Sequence, residues 1–313
     1  MQVSASHQCP LCESKKIRVE DSLSGEQLLT LWRELGFHLA TEDLLPVTQS
    51  GPVQLWHCQS CKFAFFDQDL TGTDRFYYQL SLSPAYYANH RPEFARTLRW
   101  VRSLPVRTVL DVGCGYGAFL DEARAAGLQT HGIELNRHAR EEAASKGHKV
   151  ADSFLQDLDA WLQYDLVTAF QVLEHVEDPV QFLRLMARVV RPGGYIAVAV
   201  PNHGGLYRLA PLDPHTWPPH HVTRWTLSHL EHAGLRANLI LVHKASDALL
   251  GGMIEYFGRL NYQLSKALGR PVKRTRLQLL CLVSLLYRKS GMRYWLRLRA
   301  GGSIIALFEK PSQ

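Results

Sequence analysis

VLDVGCGYGAFL, Val109 to Leu120, decides the fold. A short apolar strand ends at Asp111, glycines follow at 113, 115 and 117, and a helix opens at about Gly117. Glycines there permit positive φ and let a ligand lie against bare backbone, while a helix start offers free N–H groups. A nucleotide-like ligand is therefore expected at the carboxyl edge of this strand. The spacing is G-x-G-x-G with an acid two residues upstream, not the dinucleotide fingerprint G-x-G-x-x-G, so a tight turn without a ligand is the competing reading.

Working outward, short apolar strands alternate with helices. TVLDV leads to a helix over 117–126, THGIEL to one over 137–146, YDLVTAF to one over 179–190, and YIAVAV to one over 226–233; ANLILV and SIIALFE (303–309) follow. This order predicts a parallel sheet covered on both faces. Arg191-Pro192-Gly193-Gly194 reads as a turn between helix and strand. Upstream, Phe94, Leu98 and Val101 suggest a lead-in helix within 86–104, and EQLLTLWREL a helix within 25–41.

Seventeen residues past Gly117 stands Glu134, at the end of the next strand. A carboxylate there can accept both ribose hydroxyls of an adenosine; capping of the helix at Arg137 is its plainer role.

Taken with FQVLEHVEDP (170–179), RPGGYIAVAVPN (191–202) and PPHHVTRWT (218–226), the glycine loop and Glu134 resemble the class I S-adenosylmethionine-dependent methyltransferases. The branch most similar holds ubiquinone-biosynthesis-type O-methyltransferases and enzymes with an amino-terminal zinc module. The likeness covers about 91–241 plus the final strand. It implies a Rossmann-like seven-stranded α/β sheet with helices on both faces and S-adenosylmethionine as cofactor. It further implies that Asp111 holds the turn near the methionine end, that Gly113, Gly115 and Gly117 let the cofactor approach, and that Glu134 binds the ribose. Asp152 matches the acid that meets the adenine amino group, with a helix N-cap as the even alternative. Gln171 would face the methionine moiety, with Glu174 and His175 just beyond.

The sulfonium already activates the methyl group, so alignment supplies most of the catalysis and a base is optional. His220 and His221 are the candidates, in a proline-rich loop on the acceptor side, with His175 third. Packing against Trp225 and backbone capping are the plainer roles. No Asn-Pro-Pro-Tyr tetrapeptide follows the fourth strand, which counts against a nucleobase amino group as acceptor.

Four of six cysteines form two Cys-x-x-Cys pairs, Cys9/Cys12 and Cys58/Cys61, separated by the 45 residues 13–57. Two thiolates from each of two tight turns have the ligand set of a closed tetrahedral zinc site, structural and not catalytic; a redox role is disfavoured because neither pair opens a βαβ unit, and free buried thiols are the plainer alternative. Cys114 and Cys281 read as buried fillers. Between the second pair and the lead-in helix lie Phe63, Phe65, Phe66, Phe76, Tyr77, Tyr78, Tyr86 and Tyr87. They serve either as a lid or, as preferred here, as glue between zinc module and catalytic domain. The expected division is a zinc-binding module at 1–70, a helical lead-in and lid at 71–105, and a methyltransferase domain at 106–313 with a basic helical insertion at about 246–300.

In 313 residues, 46% hydrophobic and 20% charged, an ordinary core can form, which excludes disordered and fibrous classes. The net charge of +6 is regional: residues 256–308 carry eleven Lys or Arg and no acid, leaving −5 elsewhere. An anionic membrane surface, a phosphate-bearing or lipid-linked acceptor, or solvated surface helices would each account for that stretch, and nucleic acid ranks behind them. No apolar run reaches the length of a bilayer span, and the amino terminus lacks secretory-signal character, so the cytoplasm is expected, with peripheral contact at the inner membrane surface left open. The preferred function is O-methylation of a small-molecule or glycan-type acceptor. Sugar C-methylation, RNA methylation with the basic segment as a clamp, and a non-catalytic binding module are its rivals.

Overall fold

The computed structural model describes residues 8–83, 86–87, 90–159, 163–205, 207, 211–246 and 302–312. The basic stretch expected at 246–300, and with it Cys281, lies outside them but for its first residue.

The main sheet has seven strands, β4 (Thr108–Val112), β5 (Gln129–Ile133), β6 (Lys149–Ala151), β7 (Tyr164–Phe170), β8 (Val190–Pro201), β10 (Ile240–Ser246) and β11 (Ser303–Glu309). Their order is β10-β11-β8-β7-β4-β5-β6. The five strands from β4 to β8 run parallel, whereas β11 is antiparallel to both of its neighbours. The sheet is thus Rossmann-like, as expected, with one reversed strand.

Side chains on successive residues point to opposite faces, and the two faces carry separate cores. Leu110, Val198 and Ala306 pack with α6 (Pro179–Val189) and α7 (Leu227–Arg236). Val109, Ala197 and Leu307 pack with α3 (Pro92–Val101) and α4 (Ala118–Ala125). The remaining sheet helix, α5 (Arg137–Ser145), is N-capped by Asn136 Oδ1, 3.2 Å from Ala139 N.

Several boundaries move for local reasons. The lead-in helix begins only at Pro92, because the residue before a proline is pushed out of the α region. Helix α7 continues to Arg236, and Asn238 then turns with φ 57°, so the next strand starts at Ile240. The Arg191–Gly194 segment lies within β8 as an excursion: Val190 pairs with Tyr164, and pairing resumes with Tyr195 opposite Leu166. Strand β6 was not foreseen, having only three residues.

The amino-terminal residues build a second, antiparallel sheet in the order β1 (Ile17–Leu23), β2 (Val53–Cys58), β3 (Ala64–Phe66) and β9 (Thr223–Arg224). Helices α1 (Gly25–Glu34) and α2 (Asp74–Ser81) pack with it around Leu28, Trp32, Leu44, Phe66, Phe76 and Trp217. Helix α1 carries a Ser24/Gln27 capping box and ends before Gly36, φ 92°, so it coincides with the run EQLLTLWREL. Its edge strand β9 comes from the distant segment that follows His221, so this sheet reaches across to the acceptor-side loop. Among the described residues no helix is long and apolar enough to cross a membrane.

Candidate functional site

Beyond β4, Gly113, Gly115 and Gly117 adopt φ of 71°, 53° and 78°. The N–H groups of Gly113 and Cys114 donate to the Ile133 carbonyl, 2.9 and 3.2 Å, tying the turn to the end of β5. Glu134 completes that tie. Its Oε2 accepts from Gly115 N and its Oε1 from Asn136 N, each at 2.8 Å. Burial raises this carboxyl above its ordinary range, while the backbone donors at Asn136 and Gly115 pull it back down. Each carboxylate oxygen has two lone pairs, so capacity remains for ligand hydroxyls. A Cβ on Gly115 would meet the Tyr87 ring at 2.7 Å, so an aromatic face already lies against the bare backbone of the turn. Tyr87 in turn packs on Tyr116, with centroids 4.4 Å apart.

Asp111 is buried under this turn and accepts a 2.6 Å hydrogen bond from Thr168 Oγ1. Burial pushes its carboxyl up to about 7, against the lowering effect of that bond. Asp152 lies just past β6 and is exposed; it accepts from Arg140 Nη2 at 2.9 Å, and Arg140 Nη1 donates to the Glu134 carbonyl at 2.8 Å. Gln171, with φ 58°, ends β7, and its Nε2 donates to Glu93 Oε1 at 3.1 Å and Ser303 Oγ at 3.3 Å. The seven residues expected to hold a cofactor therefore occupy the carboxyl edge of four neighbouring strands, β6-β5-β4-β7.

The three histidines named from the sequence converge next to this edge. One ring nitrogen from each of His175, His220 and His221 lies within 4.8 Å of the others. His175 Nδ1 contacts the His220 carbonyl, and His220 Nδ1 the His215 carbonyl at 2.9 Å. A carbonyl only accepts, so both Nδ1 atoms carry the proton and both Nε2 atoms present lone pairs. His220 Nε2 meets the Tyr86 hydroxyl at 3.2 Å, and the Tyr77 hydroxyl lies 3.1 Å from His175 Nδ1. Burial lowers His175 to about 4 and holds His220 and His221 well below the ordinary histidine range. All three rings are neutral at physiological pH.

Glu174 completes the cluster. Its side chain is 1% exposed, and neither carboxylate oxygen has a hydrogen-bond partner among the described residues. Oε1 lies 3.8 Å from His221 Nε2 and 3.9 Å from His175 Nε2. Burial pushes the carboxyl up to about 8. In the sequence Glu174 stands out only as a neighbour of His175, and Tyr77, Tyr86 and Tyr87 only as part of an aromatic group. Their signal was the adjacency of LEH and YY to the motifs already picked out.

The cysteine pairs meet 3.6 Å apart as Cys9–Cys61 and Cys12–Cys58, with all four sulfurs within 4.8 Å. Four thiolates around one tetrahedral ion at about 2.3 Å would sit roughly 3.8 Å apart, so the set fits such an ion. The two turns repeat each other. Cys9 N donates to Ser14 O and Cys58 N to Phe63 O, and the residue after each pair, Glu13 and Lys62, has φ of 60° and 67°. The contact with Cys9 lowers the Cys61 thiol, and the same contact raises Cys9.

This unit packs on the segment that carries His220 and on the residues that follow it. Phe63 packs on Trp225 and on His229, whose Nε2 donates to the Cys61 carbonyl at 3.2 Å. Trp32 and Phe76 pack edge-on to His220, and the Arg224 guanidinium lies 5.3 Å from the Phe66 and Trp217 rings. The phenylalanines of the aromatic stretch are thus buried glue, while Tyr77, Tyr86 and Tyr87 face the site.

A family model described as a methyltransferase domain matches residues 86–244, about half of the chain. The ubiquinone biosynthesis O-methyltransferase of Marinobacter nauticus is 30% identical over 155 residues, 42% of this chain and 65% of that protein. That of Bordetella avium is 36% identical over 118 residues, 34% of this chain and 48% of that protein. The chain thus spans about half to two thirds of the length of these relatives. A S-adenosylmethionine-dependent methyltransferase structure from Archaeoglobus fulgidus is 18% identical with a TM-score of 0.44, covering 69% of this chain and 92% of that one.

Proposed function

The chain belongs to the methyltransferase domain family, and from that membership we propose that it transfers a methyl group from S-adenosylmethionine to an oxygen of a small-molecule acceptor. The observation that carries the reading is the 2.8 Å bond from Gly115 N to Glu134, which makes the glycine turn and the acid one preformed unit. Bound there, the cofactor supplies a methyl group already activated by its sulfonium.

The chain's own residues bind, orient and deprotonate. Glu134 would hold the ribose hydroxyls, Gly113, Gly115 and Gly117 give the close approach, and Asp111 braces the turn. Asp152 would lie toward the adenine and Gln171 toward the methionine end. His220 is the proton acceptor: its Nδ1 is fixed by the His215 carbonyl, and burial keeps the ring neutral and basic-competent. The Tyr86 hydroxyl on His220 Nε2 marks the position that an acceptor hydroxyl would take. His175 and His221 line the same place.

Zinc on Cys9, Cys12, Cys58 and Cys61 would be structural, since four thiolates leave no open position. Its part is to fix the module at 1–70 against the lead-in at 71–105 and the domain at 106–313. The likeness to ubiquinone O-methyltransferases supports oxygen as the methylated atom.

Calorimetric titration of the full chain with S-adenosylmethionine tests the reading. Micromolar binding, abolished by Gly113→Val, is expected; a wild-type chain that binds no cofactor would overturn it.

A further inference from the structure

Arg224, on β9, is a cation drawn into the protein. Its guanidinium lies 5.3 Å from the Phe66 and Trp217 rings, and burial lowers it to about 10, so it is charged at neutral pH. Glu20, Asp21 and Asp213 favour that charge only through space. A desolvated charge is costly unless its donors are used, and here they converge on one residue. Nε and Nη2 donate to the Thr216 carbonyl at 3.3 and 3.2 Å, and Nη2 also reaches Thr216 Oγ1 at 3.4 Å.

Thr216 closes the tight helical turn Pro214–Thr216. Its N–H and its hydroxyl both donate to the Asp213 carbonyl at 2.9 Å, and Trp217 N donates to the Pro214 carbonyl at 3.1 Å. Between these fixed points stands the His215 carbonyl, which accepts from His220 Nδ1 at 2.9 Å. Successive carbonyls of a helical turn lie along a common axis, so the group that holds one also aims its neighbour. A neutral imidazole keeps the tautomer that its hydrogen bonds select. We infer that Arg224 is a positioning residue: its planar fork fixes the Thr216 carbonyl and with it the His215 carbonyl, so that His220 is held with its proton on Nδ1 and a lone pair on Nε2. The inference rests on the methyl-transfer reading for the use made of that lone pair, and not for the tautomer itself.

Long-range proton–nitrogen NMR of the full chain, carrying isotope-labelled histidine, reads the tautomer directly, with His220 assigned from His220→Gln. Wild type should show a pyrrole-type shift at Nδ1 and a pyridine-type shift at Nε2. Arg224→Ala should move both nitrogens toward an averaged value, and so should Arg224→Lys, which keeps the charge without the fork. Millimolar guanidinium chloride should return Arg224→Ala to the wild-type pattern, whereas equal potassium chloride should not. Constant signals from His131 and His148, in the main domain, report that the fold survives. A wild-type His220 protonated on Nε2, an Arg224→Ala chain that keeps the wild-type pattern, or a loss that guanidinium does not reverse would each overturn the inference. Calorimetric titration of the wild type with S-adenosylmethionine reports the methyl-transfer reading separately, since absent binding there leaves the tautomer result standing.

Discussion

Glu134→Gln separates a brace from a ligand-binding group. The wild-type carboxylate accepts from two backbone donors, Gly115 N and Asn136 N, at 2.8 Å each. A glutamine offers one oxygen and one N–H2, so whichever way it turns, one of those N–H groups faces another donor. Hydrogen bonds to a charged group are worth about 1.5–3 kcal/mol each, and a stranded buried donor adds to the loss. The expected destabilisation is about 2–3 kcal/mol, a fall in Tm of roughly 5–8 °C for a domain of this size. Loss of the charged acceptor for the ribose should separately weaken S-adenosylmethionine by about 10- to 100-fold, the same energy read at 1.4 kcal/mol per decade. Asn136→Ala is the matched control, because removing the cap of α5 costs about 1 kcal/mol and spares the carboxylate. Differential scanning calorimetry and cofactor titration on the three proteins give the answer. If Glu134→Gln melts early yet binds the cofactor as tightly as wild type, the residue is only a brace and its assignment to the ribose fails.

Asp111→Asn should gain stability relative to wild type as pH rises from 5 to 8. The folded carboxyl is raised to about 7 and its unfolded value is near 4, so the fold holds a proton that it must lose at high pH, and asparagine has none to lose. A difference in Tm that is flat with pH contradicts that burial. Gly132→Ala should cost about 1–3 kcal/mol, since the new methyl would lie 2.7 Å from Cys114 Sγ and 3.1 Å from Leu120 Cδ1. Adding Cys114→Ala should recover much of it by denaturant titration; no recovery would place the strain elsewhere. Purified chain should carry about one zinc, and Cys58→Ser should lose it and expose residues 9–63 to protease before the main sheet. Zinc content near zero in the wild type removes that site.

The order of strands and helices was legible because local signals agree there: the 113–117 glycines, Pro179 opening α6 and alternation in SIIALFE all point the same way. Where tertiary pairing decides, the sequence is silent. Strands β1, β2 and β3 were not foreseen, and Thr223–Arg224 becomes a strand only because Ala64 and Phe65 lie alongside it, about 160 residues away in sequence. The reversed direction of β11 depends likewise on how the chain returns to β8. Within the site, residue types with an obvious chemistry were found at once, namely the glycines, Glu134, the histidines and the cysteines. Glu174 was placed only just beyond Gln171, because a glutamate beside a histidine carries no local signal of burial; its carbonyl accepts from Val222 N, 48 residues later in the chain.

The loop ending at Val222 explains why a cysteine module should accompany the main sheet at all. His220 and His221 precede β9, and β9 is an edge strand of the module's sheet, not of the main one. Phe66 N donates to the Val222 carbonyl at 3.0 Å, so the residue directly after the histidine pair is pinned by the module, while Val222 N donates to the Glu174 carbonyl at 2.9 Å. The histidine pair is therefore clamped between two bodies, one carrying the glycine turn and Glu174, the other carrying the four thiols. A loop of this length held at one side only would sample many conformations, and misplacing a proton acceptor by about 1 Å can cost two orders of magnitude in rate. An ion on the cysteines would set the register of β2 and β3, these would set β9, and β9 fixes the imidazoles. On this view the module's contribution to the reaction is positional, and its loss should lower kcat more than cofactor affinity, since Glu134 is held by Gly115 N and Asn136 N, both outside residues 1–70.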